Sequence, residues 1–241
     1  MTKTLIWATR PSHQNPAWQQ LIEQHVQAVI KKPLKKISVL DEAEHVTKDD
    51  ASAFAATIVD IPLLAIEPVS GACDKQAIKN HVLDLDHFSH VIFVSQNAVA
   101  HGFEWIENYW PQLPEGIHFY AVGAKTAEAV RRFNVEVIEC GEAMNSEAML
   151  ALPELQQVSG QKILIFRGKG GRPKLAVELE ARGAQVRYCE LYERQLPKAA
   201  DAMCRVITRV NTQHIIPLFS GDTLNNLMTV LPSTINKNTI T

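Results

Sequence analysis

The sequence has few cysteines, and their spacing suggests neither a metal site nor a disulfide framework. Cys73, Cys140, Cys189 and Cys204 are widely scattered, and no two form a Cys-x-x-Cys pair. Structural zinc sites and disulfide-rich domains usually depend on close, repeated spacing. We therefore expect reduced and mostly buried thiols in a cytoplasmic protein, and no metal.

Long apolar runs and an excess of basic charge are also missing. No stretch approaches the roughly 18 apolar residues of a membrane-spanning helix, and the first apolar run is too short for a signal peptide. The net charge of −2 argues against a nucleic-acid-binding protein, which needs a clear basic excess. We thus expect neither a membrane nor a nucleic acid as partner. An anionic small ligand stays open, because it responds to the local field of a cleft.

Short apolar runs, each followed by a helical pattern, do recur along the 241 residues. This alternation predicts βαβ units and largely parallel sheets covered on both faces, an α/β fold in one large or two compact domains. The predicted strand and helix pairs are Leu5–Ala8 with Trp18–Ile30, Val91–Val94 with Asn97–Ile106, Phe119–Val122 with Thr126–Phe133, Ile163–Phe166 with Lys174–Arg182, and Ile215–Phe219 with Thr223–Leu231.

Two extended stretches bounded by proline interrupt this rhythm without an obvious helix of their own. We interpret residues 58–68 and 188–197 as connector strands between a discontinuous domain (1–57 plus 198–241) and a continuous one (69–187). A weak repeat supports two similar domains, because His90–Val99 parallels His214–Leu224. Residues 31–56 are expected to form a connection that contains some helix.

Polar and cationic residues follow five of the predicted strands. In an open parallel sheet, ligands bind outside the carboxyl ends of the strands, where helix N-termini and loop amides face outward. The alternative is that these residues only cap helices. The five segments are Thr9-Arg10-Pro11, Ser95-Gln96-Asn97, Gly123-Ala124-Lys125-Thr126, Arg167–Arg172 and Ser220-Gly221-Asp222.

The glycine-rich segment also allows a dinucleotide-binding interpretation. Gly168 and Gly170 follow an apolar strand, and Glu190 comes at the distance expected for a ribose ligand. However, Pro173 occupies the position of the third glycine, and basic side chains flank the turn. Those cations suit carboxylates as well as phosphates.

Other catalytic signatures are missing or weak. The metalloprotease, α/β-hydrolase and kinase motifs do not occur. His81, His87 and His90 lack a matching carboxylate motif, so we expect solvated or capping histidines. Tyr192 differs, because charged neighbours surround it in the sequence and a role in an apolar core is hard to assign.

Eight segments in order resemble the uroporphyrinogen-III synthase family. The central ones are Arg167–Arg172, Leu179–Val186 and Cys189–Arg194; the others are Phe93–Val99, Tyr120–Ala127, the opening Thr9–Pro11, Pro62–Pro68, and Phe219–Gly221. The resemblance implies two similar parallel-sheet α/β domains, joined by a two-stranded connector, with the ligand cleft between them. It also implies a cofactor-free lyase that closes hydroxymethylbilane to uroporphyrinogen III, with loss of water and inversion of ring D. A cytoplasmic monomer, which receives its substrate from porphobilinogen deaminase, fits this resemblance.

The resemblance also assigns roles to residues. Tyr192 matches the motif tyrosine and is the candidate acid. The substrate carries eight carboxylates, and the residues able to hold them are Thr9, Arg10, Ser95, Gln96, Lys125, Thr126, Arg167, Gly168, Lys169, Arg172, Ser220 and Gly221.

The sequence departs from the family pattern after Ser220, where the family normally adds a further strand and helix. We therefore expect the discontinuous domain to lack its C-terminal βα unit. A catalytically impaired paralogue that still binds tetrapyrroles is consequently an alternative to the enzyme, and a dinucleotide-binding α/β enzyme is a further one.

Overall fold

The protein is described by a computed structural model that covers residues 3–30, 34–38, 56–140, 145–207, 212–232 and 235. The chain divides into two compact units, residues 1–65 with 195–241, and residues 66–194. Parallel sheets flanked by helices form both units, so the predicted α/β class is confirmed. Within the described residues, no helix is long and apolar enough to cross a membrane.

The first unit is built on a four-stranded parallel sheet in the order β10-β1-β3-β2. Trp7 and Val59 are buried on one face of this sheet, and Ile6 and Ile58 on the other, so its central strands are apolar on both sides. Its elements are β1 (Lys3–Ala8), α1 (Asn15–Ile30), β2 (Leu34–Ser38), β3 (Ala56–Asp60), α7 (Ala202–Ile207), β10 (Thr212–Ile215) and α8 (Gly221–Val230).

The second unit is built on a six-stranded sheet in the order β4-β9-β8-β5-β6-β7. The five strands from β9 to β7 are mutually parallel. Successive side chains of β5 enter cores on opposite faces, Val91 and Phe93 on one and Ile92 on the other. The elements are β4 (Ala65–Pro68), α2 (Ala72–Leu83), β5 (His90–Phe93), α3 (Gln96–Tyr109), β6 (His118–Ala121), α4 (Ala124–Arg131), β7 (Ile138–Glu139), α5 (Ser146–Leu150), β8 (Lys162–Gly168), α6 (Lys174–Ala181) and β9 (Gln185–Gln195).

The internal repeat coincides with equivalent strand pairs in the two sheets. In each unit, a strand that leads to a helix-capping serine pairs in parallel with a strand that begins Lys-x-Leu-Ile. These pairs are β5 with β8 in the second unit and β10 with β1 in the first.

The two stretches that we interpreted as connectors do not both lie in one sheet. Residues 58–60 belong to β3 of the first sheet, whereas β4 and β9 are neighbours in the second sheet. The Val69 amide donates to the Leu191 carbonyl at 3.1 Å beside them. A role in connecting two domains stays a prediction, as do the domain limits.

The elements that differ from the sequence-based prediction include β10, α2 and β2. β10 ends at Ile215 and does not reach Phe219, because Pro217 has no amide to donate to a strand ladder. Helix α2 was not predicted, since it buries only Ile78 and Val82 and so has no clear apolar stripe. Residues 34–38 form a strand rather than part of a helical connection, while 31–33 and 39–55 lie outside the described residues.

Candidate active site

Strand order in the second unit defines a position for a ligand. The chain passes from β5 to β6 and β7 on one side, and then returns to β8 and β9 on the other. A crevice forms at the carboxyl ends of the strands where the order reverses, which here lies between β5 and β8. The loops that border it begin at Val94 and at Lys169, so Ser95 and the glycine-rich turn lie at the same edge.

A cavity of about 320 Å³ lies at this edge. Among the described residues, four cationic side chains line it, Arg167, Arg172, Lys174 and Arg194, against one carboxylate, Glu147. An excess of positive charge in a concave site raises the local concentration of anions. The cavity therefore suits a ligand that carries carboxylate or phosphate groups.

Two of these cavity-lining cations, Lys174 and Arg194, were not predicted from the sequence. Lys174 is the first residue of α6 and pairs with Glu147. Arg194 lies two residues beyond Tyr192 on β9. For Arg194, the available signal was the period of two along a strand, since it places the side chains of Tyr192 and Arg194 on the same face.

Ser95 caps a helix and also contacts Tyr192. Its Oγ accepts the Ala98 amide at 3.1 Å and lies 2.9 Å from the Tyr192 hydroxyl. Ser220 of the first unit accepts the Thr223 amide at 3.2 Å in the same way. Both serines therefore cap helices, and Ser95 in addition contacts a tyrosine hydroxyl.

Tyr192 is fully buried, which corrects the interpretation that it does not belong to an apolar core. The cause is a bulge in β9. Arg167 pairs with Glu190, but the next residue of β8, Gly168, pairs with Tyr192. Leu191 is therefore an extra residue, so the alternation breaks and two consecutive side chains, Leu191 and Tyr192, point into the core.

The cations of the glycine-rich turn are mostly engaged with protein groups. Lys169 Nζ lies 3.2 Å from Asp74 Oδ2 and 3.1 Å from Glu193 Oε1. Hydrogen bonds to Glu193 and Asp74 raise the pKa of Lys169, which stays charged. Arg167 is 9% exposed and donates to turn carbonyls. Arg172 is exposed, and its side chain makes no hydrogen bond to the described residues.

The dinucleotide interpretation is disfavoured by Glu190. Its Oε1 accepts the Gly170 amide at 3.2 Å. A pyrophosphate bound to a glycine-rich turn would need that amide, and the carboxylate would repel it.

The predicted residues that follow β5 and β6 differ in exposure. Gln96 and Lys125 are exposed, whereas Thr126 is buried. Helix α4 starts after Gly123, whose φ of +93° favours glycine. The Thr126 amide donates to the Gly123 carbonyl at 3.0 Å.

The first unit has a comparable edge between β1 and β10. Thr9 is buried and its hydroxyl donates to the Pro217 carbonyl at 2.7 Å, which ties the two loops together. The Arg10 guanidinium lies 3.9 Å from the centre of the Phe219 ring, and its buried Nε has no hydrogen-bond partner among the described residues. Ser220 and Gly221 are exposed at the start of α8. Thr9 thus holds the two loops together.

A buried polar cluster lies at the other ends of the strands. His90 is 4% exposed, and its Nδ1 lies 3.0 Å from the Tyr120 hydroxyl, while Nε2 contacts Gln161. The expectation of a solvated or capping His90 is therefore wrong, since β6 and β8 cover the start of β5. Burial lowers the pKa of His90, against the opposing effect of the Gln161 hydrogen bond.

No group of three or more His, Cys, Asp or Glu side chains with metal-binding geometry occurs among the residues described here. The four cysteines are free thiols, of which Cys189 is buried and Cys73 exposed.

Comparison with known proteins identifies the family. Residues 46–240 match the model of the family described as uroporphyrinogen-III synthase HemD. The chain is 36% identical over 146 residues to uroporphyrinogen-III synthase of Escherichia coli, and 29% identical over 192 residues to that of Proteus mirabilis. The first match covers 58% of this chain and 57% of the relative, and the second covers 78% and 79%. This chain thus spans less than two thirds of the E. coli protein.

A solved structure has the same fold. A mutant uroporphyrinogen III synthase from Thermus thermophilus superposes with a TM-score of 0.59 at 14% identity, covering 95% of this chain and 77% of that one. The family match extends over most of the described elements, from β3 to α8. The chain belongs to the uroporphyrinogen-III synthase family.

Proposed function

We propose that this protein is a uroporphyrinogen-III synthase, which closes hydroxymethylbilane to uroporphyrinogen III with loss of water and inversion of ring D. The observation that carries the proposal is the cationic cavity between the ends of β5 and β8, in a chain of this family. A linear tetrapyrrole with eight carboxylates has the charge that such a cavity attracts.

Arginine and lysine side chains at the two sheet edges would hold the carboxylates. Arg172, Lys174 and Arg194 line the cavity of the second unit, and Arg10 lies at the edge of the first. The N-termini of α3 and α8 add amide donors and the positive end of a helix dipole. The main contribution to rate is positional, since a flexible chain must fold until its ends meet.

A proton is needed when the terminal hydroxyl leaves. Tyr192 is buried and Ser95 is partly exposed, so Ser95 is the member of this hydrogen-bonded pair that faces the substrate. In the proposed step, Ser95 Oγ gives its proton to the leaving hydroxyl and receives the Tyr192 proton. The proton lost when the new ring regains its aromatic pyrrole returns to Tyr192, so the reaction releases only water.

Family resemblance further supports a cytoplasmic monomer that takes its substrate from porphobilinogen deaminase. Neither a cofactor nor a metal takes part in the proposed reaction.

The test is a coupled assay that starts from porphobilinogen with added deaminase. Formation of isomer III at a rate proportional to the protein supports the proposal. If only the spontaneous isomer I forms, the proposal fails, and affinity for uroporphyrin would then indicate a binding paralogue. A thermal shift with NAD(P) and none with uroporphyrin would indicate a dinucleotide-binding protein instead.

A further inference from the structure

The guanidinium of Arg167 is surrounded by the turn that follows it. Nε donates to the Gly168 carbonyl at 3.2 Å, Nη1 to the Arg172 carbonyl at 3.5 Å, and Nη2 to the Gly170 carbonyl. All three nitrogens thus bind backbone oxygens of one five-residue turn. A planar group with several fixed donors can hold such a set of carbonyls, whereas a single ammonium cannot hold all three in one plane.

The rest of the guanidinium is also covered. Its central carbon lies 4.4 Å from the centre of the Tyr188 ring, and the residue is 9% exposed. A Cβ at Gly171 would lie 2.4 Å from Nη2, and Gly171 has a φ of +91°. The glycine is therefore required both by its backbone conformation and by the close approach of Arg167.

The turn that Arg167 holds is attached to Tyr192. The Lys169 amide donates to the Tyr192 carbonyl at 2.7 Å. A Cβ at Gly168 would lie 2.4 Å from Cε2 of the Tyr192 ring, so the turn backbone packs directly against that ring. A displacement of the turn would consequently move Tyr192 and disturb its contact with Ser95.

We propose that Arg167 is a positioning residue that closes the glycine-rich turn around its own guanidinium, and so fixes the ring of Tyr192 and one wall of the cavity. It does not pair with a carboxylate of the substrate. This inference rests on the proposed function, because it assigns the role of one residue within that site. The other cations that line this wall are Arg172, Lys174 and Arg194.

The discriminating substitution is Arg167→Lys, which keeps the charge but loses the planar set of donors. If Arg167 positions the turn, kcat with hydroxymethylbilane should fall about tenfold or more while KM changes by less than about twofold, as misplaced groups lower the rate of the chemical step. If Arg167 instead pairs with the substrate, lysine should restore most of kcat and mainly raise KM, and the inference is overturned.

Arg182→Lys is the matched control. Arg182 also donates to two carbonyls of the second unit, those of Leu150 and Leu155 at 2.8 and 2.7 Å. However, it lies after α6, away from the carboxyl ends of the strands. We expect a lower melting temperature with unchanged kcat and KM. An equal fall of kcat in both variants would show a general loss of structure and would contradict the inference.

A second measurement does not need activity. Hydrogen exchange of the amides at 168–172 should be about tenfold faster in Arg167→Lys, with the other strands unchanged. Gly171→Ala should raise the exchange of the same amides with Arg167 intact. Because both substitutions open one turn, exchange in the double variant should be no faster than in either single variant. Unchanged exchange in both variants refutes the inference that Arg167 holds the turn closed. An inactive wild-type protein refutes the proposed function alone.

Discussion

The hydroxyl of Tyr192 lies 2.9 Å from Ser95 Oγ, and the same serine oxygen accepts the amide of Ala98 at 3.1 Å. A single hydroxyl thus caps α3 and binds the polar atom of a ring buried in the core. The first turn of the helix and the ring are consequently held in a fixed relation at the edge of the cavity.

Tyr192→Phe should lower the rate of isomer III formation without abolishing it. The variant removes a proton donor, whose contribution is about 10²-fold in typical acid catalysis, but leaves the cavity that positions the substrate. Loss of one hydrogen bond should cost about 1 kcal/mol of stability. Initial rates and urea unfolding would measure both effects.

Tyr109→Phe is the control for that experiment, since Tyr109 is a half-buried tyrosine at the end of α3. It should leave the rate unchanged. An unchanged rate in Tyr192→Phe would remove Tyr192 from the mechanism.

Ser95→Ala should destabilise the protein more than Ser220→Ala does. Each variant loses a helix cap, which costs about 1 kcal/mol. Ser95→Ala also leaves the buried Tyr192 hydroxyl without that partner, and Ser220→Ala does the same to the buried Thr223 hydroxyl. A threonine hydroxyl in a helix can turn to a carbonyl of the preceding turn, so we expect the greater destabilisation in Ser95→Ala. Urea unfolding of both variants tests this order, and equal free energies of unfolding would contradict it.

Stability should fall as the pH drops below about 6.5, the ordinary pKa of histidine. Burial lowers the pKa of His90 in the folded protein, so the unfolded chain binds a proton that the folded one does not. The contribution of His90 to stability is complete above the pKa that it has in the unfolded chain. It is lost as the pH falls through its lower pKa in the folded protein. For this residue, the free energy of unfolding should change by at most about 1.4 kcal/mol per pH unit.

The substitution His90→Gln isolates that contribution, because burial lowers the pKa of His214 and His81 with the same sign. The variant should show a shallower loss of unfolding free energy between pH 7 and 5. An identical slope in both proteins would mean that His90 is not the titrating group. Since His118 and Glu154 also act on His90, the comparison should be made at constant ionic strength.

The strands β1, β5, β6 and β8 could be predicted because parallel strands are apolar on both faces and appear as short continuous runs. Val91–Val94 and Ile163–Phe166 follow this rule closely. Strand order could not be predicted in the same way. That β3 lies between β1 and β2 depends on contacts between distant segments, which no local pattern contains.

The location of the candidate site was predictable, since the rule for the carboxyl ends of strands needs only the end of each strand. The roles of individual side chains were not. Tyr192 is surrounded by charge in the sequence and by apolar groups in the structure, because one extra residue in β9 changes the face of the sheet it points to. Arg167 looked like a free cation, but the carbonyls that bind it come from backbone, whose orientation side-chain types do not specify.

The bulge at Leu191 sets which face of the sheet the last residues of β9 occupy. If Leu191 paired with Gly168 in regular alternation, the side chain of Tyr192 and every later one would turn to the opposite face. Tyr192 would then leave the core, and Arg194 would leave the cavity. The irregular step in the β8–β9 pairing, and not the alternation of the sequence, therefore places both side chains.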